Sequence, residues 1–225
     1  IPENAESVPV MIILPGGAYY KLSTRYEGSE VASWLNGLGI GAAVLHYRMP
    51  DHHPEWPQED IERAVAYLHD NALSLHINPY RMGIMGFSAG GHAAAVSLTR
   101  GLPVQFAVLF YPVISMERIV THIETHNWLL HEDADTATEQ LWSADLHVRP
   151  GMPRTLLIAC EDDDLVPIAN TRRFGAALDE MHVPCEMHIL PHGGHGWGFS
   201  PAMPCPDRVK TLLAQFLQNE LRGLL

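Results

Sequence analysis

The sequence predicts an α/β protein built on one doubly wound, mostly parallel β-sheet, and three observations predict it. Short β-rich runs alternate with segments of helical period. The runs are near-continuously apolar rather than alternating, as in strands covered on both faces. And 225 residues, 47% hydrophobic and 18% charged, supply a large core. One domain over residues 1–225 is therefore expected, and disorder or collagen-like repetition is excluded.

Six strands are expected, at Val8–Leu14, Ile40–Tyr47, Met82–Phe87, Val104–Phe110, Thr155–Cys160 and Cys185–Leu190. Between the first two, Val31, Trp34, Leu35 and Leu38 recur at helical spacing, and Gly39 offers a stop. Ile61, Ala64, Val65 and Leu68 repeat the pattern before Asn71. A third helix is expected from just after Ser88 to about Thr99. A fourth covers Ile168–Met181 with Phe174, Leu178 and Met181 inward. A fifth covers Asp207–Leu221, with Val209, Leu212, Leu213, Phe216 and Leu217 on one face.

The stretch of residues 115–153, after the fourth strand, carries His122, His126, His131, His147, Trp128 and Trp142. It reads as a helical insert. Connections this long serve either as lids and binding walls or as packing subdomains.

Charge narrows the partners. Twenty-six acidic residues against 14 Lys and Arg give a net charge of −12, which disfavours nucleic acid and anionic membrane surfaces. No apolar run approaches the roughly 20 residues that span a bilayer. The chain is expected to be soluble. Its N-terminus has no signal-peptide pattern, and it starts without Met, so its compartment stays open between cytoplasm and export with an upstream segment removed. Self-association to a homo-oligomer stays open too. Cys160, Cys185 and Cys205 are too few, and odd in number, for a disulfide framework, and free thiols are expected; a Cys160–Cys185 bridge requires neighbouring strands.

The chemistry-bearing residues lie where strands end. Gly86-Phe-Ser-Ala-Gly90 follows a strand and opens a helix, the context in which G-x-S-x-G reads as a nucleophile elbow with Ser88 at its tip. The N–H of Ala89 then becomes an oxyanion donor. A serine hydroxyl needs an imidazole to take its proton and a carboxylate to orient the imidazole. After the fifth strand comes Glu161-Asp-Asp-Asp164; after the sixth comes Pro191-His-Gly-Gly-His-Gly-Trp197. His195, with glycine on both sides, is preferred to His192 as the base. Among the acids, spacing alone does not choose. The second oxyanion donor is expected in the turn Pro15-Gly-Gly-Ala-Tyr19, from the amide of Gly17 or Ala18. Tyr19 is an expected substrate contact. Trp197 reads equally as a pocket wall suited to sugar stacking and as a core aromatic. No metal site is expected, since His188 sits within a strand and His195 is already engaged.

Pro15-Gly-Gly-Ala-Tyr19, His46-Tyr-Arg48, Gly86-Phe-Ser-Ala-Gly-Gly-His92, Tyr111-Pro-Val-Ile114, Asp163-Asp-Leu-Val-Pro167 and Gly193-Gly-His-Gly-Trp197 together resemble the α/β-hydrolase esterases of the acetylxylan esterase-like branch, over nearly the whole chain. The resemblance implies that the triad acid is Asp163, four residues before the proline of D-x-x-V-P. It implies hydrolysis of a short acyl, most simply acetyl, ester of a carbohydrate such as acetylated xylan, without a cofactor. It also implies strands missing from the front of the sheet, with an antiparallel start upstream of Ile1. A generic short-chain carboxylesterase, a formamidase or peptidase of the same fold, and a catalytically dead binding module are the rivals.

Overall fold

A computed structural model describes residues 7–221. Six strands form one sheet among these residues: β1 (Val8–Leu14), β2 (Gly41–Val44), β3 (Ile77–Phe87), β4 (Phe106–Phe110), β5 (Arg154–Cys160) and β6 (Cys185–Leu190). Their spatial order is β2-β1-β3-β4-β5-β6, and every neighbouring pair is parallel. The antiparallel start expected upstream of Ile1 lies outside the described residues.

Seven α-helices fill the connections: α1 (Glu30–Gly37), α2 (Glu55–Asp70), α3 (Ala89–Thr99), α4 (Ile123–Leu130), α5 (Thr136–Leu141), α6 (Ala169–Glu180) and α7 (Pro206–Glu220). All of β1 is buried, and its alternation divides the core in two. Val10, Ile12 and Leu14 face α2, α3 and α6, against Ile61, Val65, Ala93 and Phe174. Met11 and Ile13 face α1 and α7, against Val31, Leu35, Leu213 and Phe216. Each such side chain contributes about 1.5–3 kcal/mol by leaving water. This two-sided covering explains why β1 reads as an unbroken apolar run.

The edges behave differently. β2 keeps four residues of the eight expected, and β6 is only half buried, because an edge strand has one neighbour. β3 starts five residues early: Val8 pairs with Ile77 but Val10 with Met82, so the segment around Pro79 bulges out of register. Met181, expected inward, lies past the end of α6 and is 37% exposed, and Leu212 is only half buried. Gly39 does stop α1. At φ +79° it lets Ile40 N–H reach Leu35 O (3.0 Å) and its own N–H reach Asn36 O (3.0 Å), a Schellman closure.

The strand order reverses between β1, which is flanked by β2, and β3, which leads on to β4. In open parallel sheets the crevice beyond the carboxyl ends at such a reversal is where ligands bind. The turn after β1 and the elbow after β3 both lie there.

Candidate active site

Ser88 stands between β3 and α3 with φ 52° and ψ −118°, a conformation that costs a non-glycine residue about 1–3 kcal/mol. Three backbone hydrogen bonds hold it: its N–H donates to Phe110 O, and its carbonyl accepts from His92 and Val113, all at 3.1 Å. The flanking glycines are sterically required. A Cβ on Gly90 would sit 2.1 Å from Leu14 O, and one on Gly86 2.5 Å from Gly90 O. The tight elbow thus follows from α3 pressing directly on β1 and β3.

His195 Nε2 lies 2.8 Å from Ser88 Oγ, and His195 Nδ1 lies 2.7 Å from Asp163 Oδ2. A carboxylate only accepts, so Nδ1 carries the ring proton and Nε2 accepts from the serine hydroxyl. Asp163 is fixed in turn: its Oδ1 accepts from the N–H groups of Leu165 (3.0 Å) and Val166 (2.8 Å). Its side chain is 1% exposed and that of His195 10%. Such a chain can move a proton off an attacking oxygen and return it to a leaving group.

The neighbouring acid does something else. Asp162 Oδ1 accepts from Gly193 N (2.9 Å) and Gly194 N (3.0 Å), and its Oδ2 lies 3.3 Å from Nδ1 of the exposed His192. Those bonds, Gly194 foremost, hold its carboxyl below the usual range. Asp162 therefore anchors the loop that presents His195, a role the run of carboxylates gives no means of reading.

In the turn after β1, Gly17, Ala18 and Tyr19 have φ of +131°, +55° and +60°. Among the described residues, the amides of Gly17, Ala18 and Ala89 meet no protein acceptor. Tyr47 Oη donates to Pro15 O at 2.6 Å and steadies the turn from below. Arg48, next to Tyr47 in the loop after β2, ties that loop to α2 through Asp60. Gly17, Ala18, Tyr20, Ser88, His122 and His195 border a cavity of about 350 Å³.

Neither aromatic expected at the substrate is there. Tyr19 is fully buried: its positive φ swings the ring inward, where Oη meets His92 Nδ1 at 2.8 Å and the ring packs edge-on against Tyr47. Burial holds His92 near pKa 4, hence neutral; its Nε2–H donates to Trp142 O (2.8 Å), so Nδ1 accepts from Tyr19. The next residue, Tyr20, is 60% exposed, borders the cavity and packs against Trp128 at 5.1 Å. Trp197 is 2% exposed and packs on Phe110 and Tyr111, so its core reading is the one realised.

The segment of residues 115–153 is pinned by buried polar contacts where it starts and between α4 and α5. Asn170 Oδ1 accepts from Ile114 N and Ser115 N, and Asn170 Nδ2 donates to Val120 O. His126, fully buried, meets Glu139 at 3.1 Å. The segment contributes His122 and Glu124 to the cavity wall. Burial, then the nearby His195, lowers the His122 pKa.

Glu27, which borders the cavity, escaped the sequence reading, and Tyr111 entered it only within the Tyr111-Pro-Val-Ile114 motif, with no role assigned. Glu27, 3% exposed, comes from a π-helical turn at Arg25–Ser29; its Oε2 accepts from Gly16 N (2.8 Å) and its Oε1 from Tyr111 Oη (2.7 Å). Burial raises its pKa, which the bonds from Tyr111 and Gly16 partly offset. Nothing local marks Glu27, since its partners are distant in sequence. Tyr111, immediately past β4, could have been found by the same strand-end rule that located Ser88.

All three cysteines are free; Cys160 and Cys185 lie on neighbouring strands but at opposite ends, opposite Leu190 and Thr155 respectively. No helix among the described residues is long and apolar enough to cross a membrane.

Residues 38–223 match the prolyl oligopeptidase family model. The chain belongs to that family. Its fold is the α/β-hydrolase fold. It superposes on the crystal structure of an acetyl ester-xyloside bifunctional hydrolase from Caldicellulosiruptor lactoaceticus with a TM-score of 0.90, at 33% identity over 97% of this chain and 85% of that one. It is 35% identical to the acetylxylan esterase of Xylanibacter ruminicola over 97% of its own length and 47% of the relative's. It is 30% identical to endo-1,4-beta-xylanase B of Butyrivibrio fibrisolvens over 83% and 32%. The chain thus spans half or less of these two curated relatives. The family takes its name from peptidases, yet the names of these relatives point to ester and xylan chemistry.

Proposed function

We propose that this chain is a serine carboxylic-ester hydrolase that removes short acyl groups, acetyl foremost, from carbohydrate esters such as acetylated xylan or xylo-oligosaccharides. The observation that carries the reading is the unbroken chain Asp163–His195–Ser88, facing a cavity bordered by amides with no protein acceptor. The names of the relatives support the acetyl-sugar class.

In this reading Ser88 Oγ attacks the ester carbonyl while its proton passes to His195 Nε2. The amides of Ala89 and of Gly17 or Ala18 stabilise the oxyanion. The C–O bond to the sugar breaks, and His195 returns the proton to the departing alcohol. Water then attacks the acyl-enzyme, giving its proton to His195, and the carboxylic acid leaves as Ser88 recovers its hydrogen. Asp163 keeps the imidazole in the required tautomer throughout. Every proton has a donor and an acceptor within the triad, so the cycle needs no cofactor.

The test measures acetylated xylo-oligosaccharides, p-nitrophenyl esters of rising chain length, a formylated aromatic amine and an acyl-peptide side by side. Deacetylation of the sugar is expected to lead, and Ser88→Ala to lower it by roughly 10⁴-fold or more with the fold intact. Near-parent turnover by the Ser88→Ala protein would sink the reading. Preference for the amine or peptide would move the substrate class, and a fluorophosphonate probe that spares Ser88 would favour a binding module.

A further inference from the structure

We propose that Glu27 and Tyr111 are positioning residues that lock the oxyanion turn to the histidine loop, so that the two halves of the site hold one spacing. The inference rests on the ester-hydrolase reading above and goes beyond it.

The connection is continuous. Gly16 N–H donates to Glu27 Oε2 at 2.8 Å; Glu27 Oε1 accepts from Tyr111 Oη at 2.7 Å; and Tyr111 Oη accepts in turn from Gly198 N–H at 2.8 Å. One end is the residue before Gly17, and the other lies three residues past His195. The Tyr111 ring also meets the His195 ring edge-on, with centroids 4.7 Å apart. Between these ends the π-helical turn is pressed against the histidine loop: Phe199 N–H donates to Tyr26 O at 2.7 Å, and a Cβ on Gly198 would fall 2.6 Å from that carbonyl.

Packing alone does not call for a carboxylate there. Glu27 is 3% exposed, and no cation pairs with it among the described residues, an arrangement normally disfavoured by desolvation. What the position needs is two acceptor oxygens on one rigid fork, facing two donors from different loops. A glutamine cannot supply them: if its oxygen takes Gly16 N–H, its N–H₂ can only donate to Tyr111 Oη, and the tyrosine proton loses its acceptor. With Gly16 N–H drawn inward to Glu27, the following amides of Gly17 and Ala18 are left for the cavity. A tetrahedral oxyanion feels their placement far more than a ground-state carbonyl does.

The experiment compares the parent with Glu27→Gln, Tyr111→Phe and the double variant, all checked for Tm. It measures kcat and KM on p-nitrophenyl acetate, and inhibition by phenylboronic acid, which forms a tetrahedral adduct with an active serine. We expect kcat to fall about 10–100-fold in each single variant, with KM changed by less than about threefold. Boronate affinity is expected to weaken by a factor similar to the fall in kcat. The double variant should lose little more than the worse single, because both break one chain. A folded Glu27→Gln protein within about twofold of parent kcat/KM would overturn the inference, as would a loss confined to KM or unchanged boronate affinity. If Glu27→Gln does not fold, Tyr111→Phe decides by the same criteria. Ser88→Ala separates the two levels: if it remains active, the hydrolase reading fails, whereas if it is dead and Glu27→Gln is parent-like, only the positioning role fails.

Discussion

The two ends of the sheet hold cavities of unequal size and opposite character. Between α2 and α3, at the amino ends of β3 and β4, lies one of about 510 Å³, bordered by Val65, His69, Tyr80, Ser97, Arg100 and Gln105. The carboxyl ends hold the smaller one, about 350 Å³. Among the described residues bordering the larger cavity, Gly101 alone has a positive φ, whereas Gly17, Ala18, Ser88 and Gly196 at the smaller one all have it. Volume therefore does not locate chemistry in this molecule. Positive φ alone does not either, since His76, His131 and His182 have it away from the site; what sets the smaller cavity apart is that its strained residues aim amides and a hydroxyl at a common point.

The sharpest way to break this contrast lies in two adjacent carboxylates that hold the histidine loop at the small cavity. In Asp163→Asn the oxygen retained by the amides of Leu165 and Val166 leaves an N–H₂ facing His195 Nδ1. The imidazole must then accept at Nδ1 and carry its proton on Nε2, the wrong tautomer for receiving one from Ser88. A fall in kcat of about 10⁴-fold is expected. Asp162→Asn keeps an oxygen for Gly193 and Gly194 and loses mainly charge, so about a tenfold effect at most is expected. Parallel kinetics check both; equal losses would mean that the two carboxylates share one role.

Much of this was legible because strand ends leave local marks. β1 and the last six residues of β3 are buried and read as apolar runs, and the residues that follow them, Gly16-Gly17 and Ser88, stand at fixed offsets from those runs. What was not legible depends on where a chain turns after a positive φ. Tyr19 and Tyr20 are identical in type and adjacent; only the backbone twist sends the first into the core and the second to the cavity rim. Trp197 follows the same logic between Gly196 (φ +70°) and Gly198 (φ +43°). Glu27 was hidden for another reason: its two donors, Gly16 and Tyr111, come from separate elements, and a lone glutamate near a helix start ordinarily faces water.

His92 sharpens the contrast from between the two ends. It joins Tyr19 of the site turn to the Trp142 carbonyl, and the Trp142 ring lies 4.3 Å beneath the Arg100 guanidinium of the larger cavity. Burial holds its folded pKa at about 4, below the unfolded value near 6.5. The unfolded chain therefore takes up this proton first as pH falls. Stability attributable to His92 is intact above about pH 6.5 and declines by about 3 kcal/mol on the way to pH 4. Urea midpoints measured across that window should fall more steeply for the parent than for His92→Gln, which has no ionisable ring. Parallel slopes would show that the imidazole is not held neutral.

The smallest expected effect tests the contrast at its other pole. Tyr80 is 77% exposed on the bulged start of β3, where its N–H donates to Asn78 Oδ1 at 3.0 Å and its ring meets His69 edge-on at 6.3 Å. Its side chain touches no strained residue, and the bulge is held by backbone pairing that truncation leaves intact. Tyr80→Ala should change stability by no more than about 0.5 kcal/mol and kcat/KM by less than about twofold. Both follow from a melting curve and an esterase assay on the same preparation. A tenfold loss of activity would require a route from the larger cavity to Ser88, with Arg100, Trp142, His92 and Tyr19 as the contacts through which to seek it.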